Sequence, residues 1–164
     1  MLALRLLHFV FGTIWVGGGF YFNFILLPKL RQMDAGTQRA VIKAVAQIMA
    51  PSLGISALIT IVSGGVMMAR LRTDHGVNFL ATGWGVSMMV GLITSILAVV
   101  LVFAVEVPTG RKVDKMAAPF EGRVPSQHES LELNRLSSRV SFVGRVGTVL
   151  LFIALASMAV ARFV

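Results

Sequence analysis

The chain has 164 residues, 56% of them hydrophobic and 13% charged, with no cysteine and a formal net charge of +8. It is too short for more than one domain and too apolar to cover its own surface with polar groups, so lipid is the expected solvent for much of it. Disulfides, thiolate metal sites and cysteine-ligated iron–sulfur clusters are excluded, and the basic excess borders apolar stretches instead of forming a nucleic-acid-binding stripe.

Four stretches approach the ~20 apolar residues a membrane helix needs, at about 3–27, 51–71, 82–107 and 140–163. None alternates like a barrel strand, so the expected class is all-α, an integral membrane four-helix bundle forming a single transmembrane domain. No small-x-small cleavage pattern follows the first apolar run, which is expected to remain as a span. Between the first two spans, Ala40, Val41, Ala44, Val45 and Ile48 recur at helical spacing opposite Arg39 and Lys43. This predicts an amphipathic cytoplasmic helix that bends into the second span at Pro51. Residues 72–78 are expected to be a short loop carrying His75. Residues 108–139 form the substantially polar segment, holding His128. There Pro108, Gly110, Pro119 and Pro125 argue against a continuous helix. No internal repeat is visible.

Eleven of the fifteen Lys and Arg residues flank the first and third loops and four lie on the other side. The positive-inside rule then places those loops in the cytoplasm of a bacterial-type inner membrane, with both termini outside. Glycines are spread through all four spans, as close helix contact in lipid requires. Such faces suit packing within the chain, a second copy, or a larger membrane complex.

His8 is an ionisable group within an apolar helix and is expected to face the bundle interior or the interface. Gly12, Trp15, Gly19 and Phe22 follow at helical spacing on the same face, where an imidazole beside glycines and aromatics has room for a flat ligand. Nine methionines offer thioethers suited to Cu(I). Met67 and Met68 lie in the second span, Met88 and Met89 in the third, and Met158 in the fourth. Adjacent methionines point two ways around a helix, so one of each pair is expected to face a common path.

The run His8-Phe-Val-Phe-Gly-Thr-Ile-Trp15-Val-Gly-Gly-Gly-Phe-Tyr21 resembles the first helix of the HemJ-type membrane protoporphyrinogen oxidases and of the related copper-resistance D (CopD-like) proteins. In those families a His precedes a Trp by seven and a Gly-rich aromatic segment follows. Ile48-Met49-Ala50-Pro51, leading to Gly64-Gly65, is similar to the opening of their second helix, and Gly83-Trp84 to their Gly/Trp pair in the third. The resemblance covers roughly residues 4–90. It implies haem b with His8 as axial ligand and Gly12, Trp15, Gly19 and Tyr21 around it, the iron being five-coordinate or ligated by a partner or second copy. It implies copper as the alternative, held by His8, Met67, Met68, Met88 and Met89. The basic residue that the oxidases carry after the third-helix Trp is missing, its positions being Val86, Ser87, Met88 and Met89. Oxidase activity is therefore not carried over. The expected function is haem-b binding in redox chemistry or haem handling, with copper transport or a non-catalytic structural subunit as alternatives.

Overall fold

The computed structural model describes residues 1–75, 79–118 and 126–163. Every regular element among them is helical. Helix α1 (Leu2–Phe20) passes through a π-helical stretch, Tyr21–Leu26, into the short α2 (Leu27–Leu30). After a turn, α3 (Ala35–His75) follows. Helix α4 (Gly83–Leu101) passes through a second π-helical stretch, Val102–Glu106, into α5 (Val107–Ala117), and α6 (Gln127–Val160) closes the chain. Four continuous runs, Leu2–Leu30, Gly36–Arg70, Gly83–Ala117 and Gln127–Phe163, are long and apolar enough to cross a membrane. Many of their large apolar side chains point outward: Phe9 is 70% exposed, Phe142 69% and Leu58 64%.

Helix starts follow ordinary capping chemistry. Asp34 accepts a hydrogen bond from the Thr37 N–H at 2.9 Å, and that bond holds its carboxyl below the usual range. The Thr82 hydroxyl accepts from the Gly85 N–H, and Ser126 with Glu129 forms a reciprocal capping box.

Proline behaves differently from the expectation drawn for the polar segment. Pro108 does not end a helix; α5 carries on past it and past Gly110 to Ala117. Proline cannot donate to the carbonyl four residues back and its ring crowds that carbonyl. For Pro28 and Pro108 those carbonyls belong to Phe24 and Ala104, and both residues lie inside π-helical stretches. The wider π turn moves the hydrogen bonding off the i−4 pattern at the positions where proline would break it. Pro51 likewise lies within α3, so the stretch expected as a separate amphipathic helix is the beginning of one 41-residue helix. At the other end α3 continues to His75 where a loop was expected; Pro119 and Pro125 lie outside the described residues. Beyond the bundle, α5 and α6 make a small core of their own, with Val113, Met116 and Ala117 packed on Leu133.

The helices form two antiparallel hairpins. In the first, Gly12 of α1 faces Thr60 of α3, Gly18 faces Leu53 and His8 lies over Gly64. In the second, Gly91 of α4 faces Ser157 and Met158 of α6. A polar seam joins the hairpins along α1 and α6. Buried Asn23 donates to the Gly19 carbonyl at 3.1 Å and to the Thr148 hydroxyl at 3.2 Å, and Arg31 donates to the Ser141 hydroxyl. At the centre Trp15, Ala57, Ala98 and Leu151 meet, one from each long run. Ser56, Thr60, Ser141 and Thr148 are buried, and each satisfies its hydroxyl on the carbonyl one turn back.

Two glycines one turn apart on α6 give contrasting expectations. A Cβ at Gly144 would collide with the Asn23 amide, whereas one at Gly147 meets nothing within 4 Å. Gly144→Ala is expected to destabilise the bundle by about 1–3 kcal/mol and Gly147→Ala to leave it unchanged or slightly stabilised. Unfolding in graded SDS, followed by tryptophan fluorescence, reads both.

Candidate functional site

The four long runs enclose a cavity of about 260 Å³ at the end of the bundle that holds the N-terminus of α1. Its walls are Arg5 and His8 from α1; Thr60, Ile61, Gly64, Met67 and Met68 from α3; Trp84, Met88, Leu92 and Ser95 from α4; and Met158 from α6. The Trp15 cluster lies deeper in the bundle, and Ile61, which packs against it, also lines the cavity. Four thioethers and one imidazole thus share a chamber otherwise walled by Arg5, Trp84 and aliphatic and small side chains.

His8 is half-buried and fixed by one strong contact. Its Nδ1 lies 2.8 Å from the Thr60 carbonyl oxygen, which can only accept, so Nδ1 carries the proton. The Ser63 hydroxyl, 3.4 Å from Nδ1, is already donating to the Ile59 and Thr60 carbonyls and presents only lone pairs. Nε2 is left as the basic nitrogen, and it has no hydrogen-bond partner among the described residues. An imidazole whose Nδ1–H is anchored on a carbonyl, with Nε2 free beside a cavity, is the arrangement metal-ligating histidines adopt. Gly64 makes room for it: a Cβ there would stand 2.8 Å from His8 Cε1 and 3.0 Å from Nδ1. The half-buried wall residues Met67, Met68 and Met88 supply soft donors, and Met158 packs on Gly91 to complete the set.

The other residues singled out from sequence lie elsewhere. Gly12 faces Thr60, Gly19 faces Thr148 and Leu151, and Trp15 fills the bundle centre. Tyr21 is 50% exposed on the outer surface, and Met89 lies off the cavity wall. Both Met67 and Met68 line the cavity, although one of the pair was expected to turn away. Reading the His8 face toward the C-terminus led to Trp15; the cavity lies the other way, toward Arg5, three residues before His8. Trp84 and Met158 join it from the facing helices. A rule that followed the face in both directions from His8 would have found Arg5, whereas Gly64, Leu92 and Ser95 carry no chemical signal in the sequence.

These residues decide what the cavity can hold. Among the described residues no group of three or more His, Asp or Glu side chains comes together, so a hard-cation site is not formed. The cavity measures about 260 Å³, against ~300–1,000 Å³ for ordinary small-molecule pockets, and the glycines expected around a macrocycle face Thr60, Thr148 and Leu151. The donors that line it are neutral and soft or intermediate, four thioethers and one imidazole. Comparison of the chain with family models, with curated proteins and with solved structures finds no match in any of the three.

The anchor of His8 can be tested directly. In ¹⁵N-labelled protein the neutral His8 ring is expected as the Nδ1–H tautomer. Gly64→Ala, which pushes the ring off Thr60, should shift both ring nitrogens, whereas Gly65→Ala, with nothing within 4 Å, should leave them in place.

Proposed function

We propose that this chain is a multi-pass protein of a bacterial-type cytoplasmic membrane that binds Cu(I) within its bundle, of the kind the CopD-like resemblance implies. The observation that supports this reading is that His8, whose Nδ1 is engaged by the Thr60 carbonyl, and Met67, Met68, Met88 and Met158 line one cavity from four helices. Thioether and imidazole are soft to intermediate donors, and Cu(I) is the common biological cation that prefers them. All five groups bind without losing a proton charge. Arg5, the fixed charge on the wall, therefore sets the electrostatics. A cation next to Arg5, which has no carboxylate partner among the described residues, is disfavoured in proportion to its charge, which favours a monovalent ion over Cu(II) or Zn(II). The Lys and Arg distribution, eleven against four, supports an orientation with the cavity and both chain termini at the outer face of the membrane. The reading is then of copper held or passed at the outer half of the bilayer, and it assigns no chemical transformation.

Purified protein in mild detergent, titrated against a chromophoric Cu(I) chelator under anaerobic conditions, tests this. One equivalent of Cu(I) should be bound. His8→Ala and Met88→Leu should each weaken it by at least about tenfold, with Met89→Leu unchanged. A protein purified from haem-replete cells with a Soret band and reduced b-type bands that vanish in His8→Ala would replace copper by haem. A colourless chain that also fails to bind Cu(I) would leave the role of a structural subunit in a larger membrane complex.

A further inference from the structure

The cytoplasmic end of the α1–α6 seam carries two exposed arginines, Arg31 and Arg145. Arg31, just after α2, is exposed yet holds its guanidinium on the hydroxyl of Ser141, a buried residue of α6. Arg145 lies one helical turn further along α6 from Ser141, and residues at that spacing are neighbours on the helix surface. Arg145 is also exposed, and it sits on the outward strip of α6 between Phe142, 69% exposed, and Val149, 49% exposed. Among the described residues the ion pair is that of Arg135 with Glu132, and neither Arg31 nor Arg145 has a carboxylate partner. Arg31, held on Ser141, and Arg145, one turn along α6 from Ser141, carry like charges, and a charge on an apolar, lipid-facing strip is costly unless its end reaches a counter-ion. Both problems have one solution. An anion seated between Arg31 and Arg145, at the level of the last turn of the first run, would neutralise the pair and accept from both forks.

Resting on the membrane reading above, we propose that Arg31, positioned by Ser141, and Arg145 form a binding site for the phosphate of an anionic phospholipid in the cytoplasmic leaflet. The acyl chains would lie along the exposed Phe142–Val149 strip. A phosphate is the anion available at this depth, and the apolar strip running from the two guanidinium groups into the hydrocarbon region favours a lipid over a free ion. The seam that this lipid would brace is the one closed by Asn23 and Thr148 one to two turns deeper, so the site ties the two hairpins together at the membrane surface.

Native mass spectrometry of the purified full chain tests the site, with phosphatidylglycerol or phosphatidylcholine added to the detergent. The wild-type protein should retain phosphatidylglycerol in preference to phosphatidylcholine. Arg31→Gln with Arg145→Gln should lower that retention by about fivefold per guanidinium removed. Arg111→Gln with Lys112→Gln, which removes the same charge from exposed positions of α5, should keep it. If the double arginine variant does not fold, Arg31→Lys with Arg145→Lys serves instead, keeping the charge while losing the forked geometry and with it most of the preference. No headgroup preference in the wild type, equal loss in the α5 variant, or displacement of the lipid by millimolar inorganic phosphate would overturn the proposal. Copper binding is read in a separate titration, so failure of this site leaves the cavity untouched. A chain recovered as a water-soluble protein without detergent would sink the membrane reading itself.

Discussion

Trp15 is where the four long runs meet. Its indole rests against Ala57, Ala98 and Leu151, one residue from each of the other three. Two of those partners are alanines, so the helices approach one another around the ring with little side chain of their own between them. In a hydrocarbon solvent helix association draws on such close packing and on polar contacts, because lipid tails compete equally for every leucine. The exposed phenylalanines, leucines and isoleucines that would be liabilities in water are then the surface the fold requires. Everything functional in the bundle is arranged relative to that indole. Below it the α1–α6 seam is closed by Asn23 and Thr148, and above it the helices part to leave the cavity.

That the helices part above Trp15 follows from what lines them there. Gly64 gives its space to the His8 ring, and Gly91 gives its own to Met158. Methionine is unbranched and adaptable, so it fills irregular space without closing it rigidly. The same side chains that pack the upper bundle loosely are the soft donors of the proposed site. His8 cannot pack by shape alone, since its Nδ1–H must find an acceptor, and Thr60 supplies a carbonyl. That carbonyl is within reach because Gly64, one turn on, leaves room for the ring. The hydrogen-bond economy of a helix surface thereby determines which nitrogen of His8 faces the cavity.

Much of this was legible in the sequence. The four spans are written in hydropathy, and His8, Met67, Met68 and Met88 stood out as chemistry inside apolar helices. The positions of helix ends were less legible, because proline was read as a breaker. At Pro28 and Pro108 the preceding π turns accommodate it, and no propensity scale signals a π turn. The packing of α5 on α6 was written in the i, i+3, i+4 spacing of Val113, Met116 and Ala117, but the polar residues around them masked it. The neighbours of His8 were misjudged for a geometric reason. A helical face extends in both directions from a residue, and only tertiary packing decides which direction opens into space and which is filled by an indole.

The two π turns reach beyond packing into how this chain relates to others. Each accommodates one residue more than an α-helix would over the same rise, so positions before and after it are out of step by about one residue in angular register. A relative with the same bundle but without the prolines could dispense with that residue. Its sequence would then align with this one only through single-position gaps at Tyr21–Leu26 and Val102–Glu106. Comparison methods that penalise gaps inside apolar helices would slide such a pair out of correspondence on one side of each turn. Kinship in this architecture is therefore better sought in half-helix segments, with the stretch carrying His8 and Trp15 matched separately from the stretch that begins at Leu27.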